Sequence, residues 1–261
     1  MAVEIIAEAS KNWLTKESIT ISEALENAKK LALVARECQS DIVKFQCHVA
    51  EDENRKRHPK RRSWIKLNEA LTPFDTFWKP LKEYCDEIGI EMLVTPMSLL
   101  AAIKVNSLVK RWKVASPDIR DFELLAYLKE TGKHVILSSG MFDESCLHKA
   151  EDFLKDNFSV LHCVSEYPLA IEKANLKVLS AFDGLSDHTL SLITGALAVV
   201  KGASLIEKHF TYNGWGKDAN VSLNPEQLKQ YIDNIREAEK AYQFIQRPTD
   251  VEKELLKDFW I

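Results

Sequence analysis

Ser186-Asp187-His188 and, shortly after it, Ile206-Glu207-Lys208-His209-Phe210-Thr211 each close an apolar run, Phe182 to Leu185 before the first and Ala203 to Ile206 before the second. An apolar run that stops in polar residues reads as the carboxyl end of a buried strand. Two imidazoles delivered by neighbouring strand ends, with Asp187 and Glu207 close by, are what a divalent-metal site with open positions needs.

Working outward from these two strands, the same pattern recurs along the chain. Strands are predicted over Val3–Glu8, Asp41–Gln46, Glu91–Thr95, Arg111–Ser116, Lys133–Ser139, Ser159–Val164, Phe182–Ser186 and Ala203–His209. Helical segments follow them: Ser22–Glu37 with Ser22 as N-cap, Pro73–Ile88, Leu99–Leu108, Ile119–Glu130, Asp143–Asp156, a short helix or turn at Lys173–Ser180, Leu190–Lys201 and Asn224–Gln243. Strands alternating with helices imply right-handed crossovers and a parallel sheet. Eight such units in a chain of 261 residues, close to the roughly 250 typical of this architecture, predict a closed (β/α)8 TIM barrel of the α/β class. Residues 1–246 are read as a single barrel domain and 247–261 as a C-terminal tail or linker stub.

Composition narrows the function. A net charge of −4 gives no overall pull toward nucleic acid or a membrane surface. No stretch approaches 18 consecutive apolar residues, so no spanning helix is predicted. The N-terminus is too short and acidic for a signal peptide. Five scattered cysteines without CxxC spacing suit a reduced, cytoplasmic setting.

In a barrel, chemistry gathers where strands end. Here those positions hold Glu8, Lys44 and Gln46, Thr95, Lys113 and Ser116, Ser138 and Ser139, Ser165 and Tyr167, Ser186 and His188, and Glu207 and His209. Strands end in polar residues generally, but that accounts less well for two lysines, several hydroxyls and two histidines at corresponding positions. Lys44 and Gln46 share one strand face by the period of two. Lysines among hydroxyls describe an anion site, most naturally for phosphate or a phosphorylated carboxylate. His162, inside its strand, reads as a core residue. Cys47 to Thr72 is the least regular segment and contains six Lys/Arg in nine residues from Asn54 to Arg62. It reads as a solvated loop or, more sharply, as a lid that meets a phosphate or acidic group.

Taken in order, the blocks IIAE at 5–8, VKFQ at 43–46, VTP at 94–96, KVAS at 113–116, VILSSGM at 135–141, LHCVSEYP at 161–168, GLSDHTL at 184–190, GASLIEKHFT at 202–211 and KDANVSLNPEQL at 217–228 give a chain that resembles the N-acetylneuraminate (sialic acid) synthase family. The resemblance implies metal-dependent condensation of phosphoenolpyruvate with an acylamino aldose, giving a sialic-acid-like 2-keto-3-deoxy sugar acid and phosphate. It implies that His188 and His209 hold a divalent metal, usually manganese, with magnesium or cobalt as alternatives. Lys44, Thr95, Lys113, Ser116, Ser138, Ser139 and Ser186 match the phosphoenolpyruvate cradle. Gln46, Tyr167 and Asp218 match contacts to the sugar, and Ser165 stands where members carry Asn or Ser. Glu207 matches the carboxylate beside the metal, and Glu8 the acid at the end of the first strand. The catalytic residues so implied are Glu8, Glu207, Asp218 and Tyr167, and family members commonly form homodimers.

Two departures stand out. Where the family's first block carries Gly and then an Asn-His pair, this chain has Ser10 and Asn12-Trp13. The chain also ends just past Pro248-Thr249, where the linker to the family's C-terminal antifreeze-like domain begins. A related barrel synthase acting on a sugar phosphate, and a non-catalytic homologue that binds phosphoenolpyruvate or sugar, are the competing readings.

Overall fold

The computed structural model describes residues 2–15, 19–141, 143–243 and 249–259. Eight strands, β1 Glu4–Ser10, β2 Ile42–Cys47, β3 Glu91–Pro96, β4 Trp112–Val114, β5 Val135–Ser138, β6 Phe158–Cys163, β7 Gly184–Asp187 and β8 Leu205–His209, run parallel and close on themselves in sequence order. This is the predicted (β/α)8 barrel. The helices are α1 Ile21–Glu37, α2 Ala50–Lys56, α3 Arg62–Leu71, α4 Lys79–Glu87, α5 Leu99–Val105, α6 Phe122–Glu130, α7 Glu144–Leu154, α8 Thr194–Val200, α9 Pro225–Ala241 and α10 Asp250–Phe259. Only short 3-10 turns, Ile171–Lys173 and Leu176–Ala181, separate β6 from β7.

Strand alternation sorts the core into two parts. One set, including Ile5, Ala7, Val43, Phe45, Val94, Val114, Leu137 and Ile206, packs with the helices. The other, Ile6, Ile42, Leu93, Ile136, Leu161 and Leu205, forms a separate apolar layer inside the barrel. Two residues further along, the same inward face carries Glu8, Lys44, Thr95, Ser138 and Glu207 on five of these strands and Cys163 on the sixth. The apolar layer is thus the floor on which the site stands. Below it, Arg111 pairs with Glu4 at 2.7 Å and Glu91 at 2.8 Å, tying three strand starts together.

The structure revises several local expectations. The N-cap of α1 is Thr20, not Ser22: its hydroxyl accepts from Glu23 N–H at 3.1 Å while Glu23 caps Thr20 N–H at 2.8 Å. Cys47 to Thr72 is not a loop but holds α2 and α3. Its basic run is stitched to the connection after β4, with Lys56 on Asp121 and Glu123 at 2.6 and 3.2 Å and Arg57 on Asp118. Helix α10 occupies part of the segment read as a tail; its described side chains are exposed or half-buried. Arg247 and Pro248 lie outside the described residues. Among those described, no helix is long and apolar enough to cross a membrane.

Closure of the barrel demands a glycine at 184. A Cβ there would stand 1.9 Å from the Leu205 carbonyl oxygen of β8 and 2.8 Å from Leu161 Cδ2. Backbone oxygen cannot swing away as a side chain would. Gly184→Ala is therefore expected to lower stability by about 1–3 kcal/mol, read as a lower urea midpoint; an unchanged midpoint would contradict this packing.

Candidate functional site

Above the apolar floor lies a layer of buried charge. Lys44 Nζ of β2 pairs with the Glu8 carboxylate of β1, donates to Thr95 Oγ1 at 3.0 Å and stands 3.6 Å from Glu207 Oε2 of β8. Lys113 of β4 donates to Ser138 Oγ and to the Val114 carbonyl at 3.1 Å, and lies 3.9 Å from Glu207 Oε2. Ser186 of β7 donates to Glu207 Oε1 at 2.8 Å. All four charged side chains are buried.

Their surroundings divide the two carboxyls. Burial works against charge on Glu207, but Lys113, Lys44 and the Ser186 hydroxyl outweigh it and hold the group at about 2. At Glu8 burial wins over Lys44, and the neighbouring Glu207 charge adds to it, lifting the group to about 7. Glu8 Oε1 is buried and has no hydrogen-bond partner among the described residues. Burial also pushes the Lys113 ammonium below the usual lysine value. At Lys44, Glu207 and Glu8 overcome burial and raise it.

The histidines stand in the same cavity as these charges. His188 and His209 face each other with ring centroids 5.4 Å apart, and the Tyr167 ring lies 4.2 Å from that of His188. His188 Nδ1 donates to the Val164 carbonyl at 2.8 Å. That bond fixes the ring and turns Nε2 to the other side. Burial, with the neighbouring His188, depresses His209 to about 3. The cavity holds about 390 Å³ of empty space, part of it open to solvent, and Gln46, Ser116 and Tyr167 complete its lining. Gly140 gives room at one wall, because a Cβ would stand 2.3 Å from Ser165 Oγ and 2.8 Å from Ser116 Oγ. A larger hollow, with about 1370 Å³ of empty space that likewise includes open solvent, lies at the opposite end of the barrel, lined by residues such as Val3, Val199 and Tyr242. It holds none of the strand-end groups.

The predicted residues therefore converge, with particular exceptions. Glu8, Lys44, Gln46, Thr95, Lys113, Ser116, Ser138, Tyr167, Ser186, His188, Glu207 and His209 line the cavity. Ser139 does not: its hydroxyl accepts from Cys163 N–H at 3.2 Å. Ser165 stands 3.9 Å from Cys163 Sγ. Asp218 lies beside the mouth, accepting from Ser10 Oγ and standing 3.4 Å from Lys11 Nζ. Asp187, expected near the histidines, instead faces the helices, where Lys208 holds it at 2.8 Å. Ser10 adopts a left-handed φ of 48° at a bulge in β1, and Trp13 is wholly buried with its ring 5.4 Å from that of Phe77. The position where the resemblance implies a His thus joins the core.

Sequence reasoning missed Cys163, whose Sγ lies 3.5 Å from Ser116 Oγ, and Asn12. Asn12 anchors the 210–222 segment through Phe210 O at 2.8 Å, Ser222 Oγ at 2.9 Å and Asp218 N–H at 2.9 Å. Cys163 was within reach, because it shares the inward face with Leu161.

The donor set fits a divalent cation of open coordination. His188 presents a fixed tautomer, His209 is neutral near pH 7, and His209 Nδ1 is a buried nitrogen with no partner among the described residues. No cluster of three or more His, Cys, Asp and Glu suited to a metal occurs among the described residues. The protein therefore offers two nitrogens to such a cation, and the remainder of its shell would come from water or substrate.

Comparison with known proteins bears on the family and the fold. The model of the NeuB family matches residues 31–247. An uncharacterised protein of Methanocaldococcus jannaschii is 36% identical over 83% of this chain and 67% of its own length. The N,N'-diacetyllegionaminic acid synthase of Legionella pneumophila is 31% identical over 92% of this chain and 73% of its own. The crystal structure of an N-acetylneuraminic acid (sialic acid) synthetase from Leptospira borgpetersenii, in complex with citrate, matches with a TM-score of 0.85 at 27% identity, over 98% of this chain and 91% of that one.

The proton on Glu8 has a measurable consequence. A carboxyl raised from about 4.5 when unfolded to about 7 when folded binds more protons in the native state across that window. Its contribution to stability is present below the unfolded value and is lost as pH rises through the folded one. Urea unfolding at pH 5 and pH 8 should show Glu8→Gln gaining on the wild type at the higher pH. A wild-type-to-variant difference that stays constant with pH would refute the raised carboxyl.

Proposed function

The chain belongs to the NeuB family, and on that premise we propose that it condenses phosphoenolpyruvate with an open-chain acylamino aldose to give a sialic-acid-like 2-keto-3-deoxy sugar acid and phosphate. The observation that carries the reading is the pair of buried lysines among strand-end hydroxyls, set in one cavity with His188 and His209.

Lys44 and Lys113, with Thr95, Ser116, Ser138 and Ser186, hold the carboxylate and phosphate of phosphoenolpyruvate. They are preorganised, since their charges already face the cavity from rigid strands and need no reorientation during reaction. Gln46, Tyr167 and Asp218 take the sugar's hydroxyls and orient the aldehyde over the enol carbon, which supplies the proximity effect. A divalent cation, manganese by preference, bound by His188 and His209 would supply Lewis-acid polarisation of the aldehyde.

In the reaction the methylene carbon of phosphoenolpyruvate forms a bond to the aldehyde carbon, whose oxygen gains a proton and becomes a hydroxyl. Water adds to the former enol carbon, and cleavage of its bond to the phosphate oxygen leaves the ketone and inorganic phosphate. Glu207, held near 2, stays ionised and balances charge between the lysines. Glu8, lifted to about 7, is the carboxyl on this floor able both to give and to take a proton near neutrality.

The test is phosphate release from phosphoenolpyruvate with manganese, across N-acylated mannose-type sugars, their 6-phosphates and plain aldoses, with a chelator control. Chelator-sensitive release with one sugar is expected. Lys113→Met should lower kcat/KM by roughly 10²–10³-fold, the scale of a lost preorganised donor. His209→Ala should abolish turnover and manganese binding together. Undiminished turnover in either variant would sink the assignment, and a failure to release phosphate with any sugar would favour a binding role.

A further inference from the structure

Behind the histidines, on the helix side of the sheet, lies a second buried ion pair that the reaction does not use. Lys208 Nζ and Asp187 Oδ2 are 2.8 Å apart, with side chains 0% and 1% exposed. Asp187 and Lys208 are direct partners in the β7–β8 ladder. The next residue along each strand is a site histidine, His188 or His209, and alternation puts each on the opposite face.

We propose that Asp187 and Lys208 are positioning residues that set the separation and orientation of His188 and His209. The proposal rests on the reading of those histidines as the cation-holding pair.

Lys208 grips the chain on both sides of His188. Besides Asp187 it donates to the Thr189 carbonyl at 2.6 Å and the Ser191 carbonyl at 3.3 Å. Asp187 is equally committed. Its Oδ2 also accepts from Tyr231 OH at 2.9 Å and from Thr194 Oγ1, and its Oδ1 accepts from Thr189 N–H at 2.9 Å. One ion pair therefore joins both histidine-bearing strands to α8 and α9. Those helices meet closely enough that a Cβ on Gly195 would stand 2.7 Å from the Tyr231 ring, which seats the tyrosine against the carboxylate.

Stability alone is a poor reason for this arrangement. A buried ion pair repays little more than its own desolvation, and apolar residues of similar volume often do as well. What a hydrogen-bonded pair supplies and a greasy one does not is a fixed direction at each strand end. Partners that hold metal-binding histidines in place typically govern metal affinity by 10–100-fold, and here Asp187 and Lys208 would do so through the backbone of the strand ends that carry the rings.

The test compares wild type with the charge-neutral double variant Asp187→Asn/Lys208→Met, which avoids leaving one buried charge unpaired. Three quantities are read: the thermal midpoint, manganese affinity by calorimetry, and the histidine side-chain nitrogen spectrum of the metal-free protein. A folded double variant should bind manganese about 10–100-fold more weakly, with the His188 Nδ1–H signal shifted or split between tautomers. Lys208→Arg should recover part of both. A folded double variant with wild-type affinity and wild-type histidine signals would overturn the proposal. If the double variant does not fold, Tyr231→Phe is read instead. It removes one hydrogen bond to Asp187, is expected to weaken manganese binding on the order of threefold and to shift the His188 signal, and overturns the proposal if neither changes. His209→Ala serves as the control. Should wild type show no histidine-dependent manganese binding, the metal reading fails by itself, and the metal-free spectra still decide whether the pair positions the rings.

Discussion

The charge layer formed by Glu8, Lys44, Lys113 and Glu207 is the constraint on which the rest of the molecule depends. Removing ions from water costs several kcal/mol each unless they are paired and hydrogen-bonded. Here they are: Lys44 lies between Glu8 and Glu207, Lys113 donates to Ser138, and Ser186 donates to Glu207. The pairing works only at one height of a closed barrel, where four strands bring the groups within reach of each other. A register slip of one residue on any of these strands would turn its charge outward into the helix packing and an apolar side chain inward. The apolar layer of Ile6, Ile42, Leu93, Ile136, Leu161 and Leu205 beneath it keeps the charges at the carboxyl end.

The same layer explains why two carboxyls of similar chemistry differ. Glu207 sits within reach of both lysines and a hydroxyl, while Glu8 pairs with Lys44 and feels the charge of Glu207 beside it. One is a fixed counter-charge and the other a proton reservoir near neutrality. Incoming carboxylate and phosphate would be met by cations whose present partners lie inside the protein, so ligand binding becomes a redistribution of charge within an organised site rather than its creation.

The barrel and most of the site's lining were legible in the sequence because both rest on a period of two and on where each apolar run stops. Lys44 with Gln46, and Ser186 with His188, follow directly from that period. The same rule, applied strictly, excludes Ser139 once Ser138 faces inward, and sends Asp187 outward once His188 faces inward. Reading proximity in sequence as proximity in space placed Asp187 wrongly. The helices between Cys47 and Thr72 were not legible. Ala50–Lys56 has no apolar stripe, and its partners are distant: Asp52 Oδ2 accepts from Leu100 N–H at 2.9 Å, and Arg57 pairs with Asp118. Local pattern cannot report tertiary pairs of that kind. The fate of Trp13 depended likewise on Phe77, a contact no motif announces.

The most direct measurement is a crystal structure with phosphoenolpyruvate and manganese, with anomalous data collected at a wavelength where manganese scatters. The account predicts phosphoenolpyruvate oxygens within hydrogen-bond reach of Lys44 and Lys113, and an anomalous peak bound by His188 and His209. Phosphoenolpyruvate seated away from both lysines, or manganese bound elsewhere while the two imidazoles remain free, would contradict it.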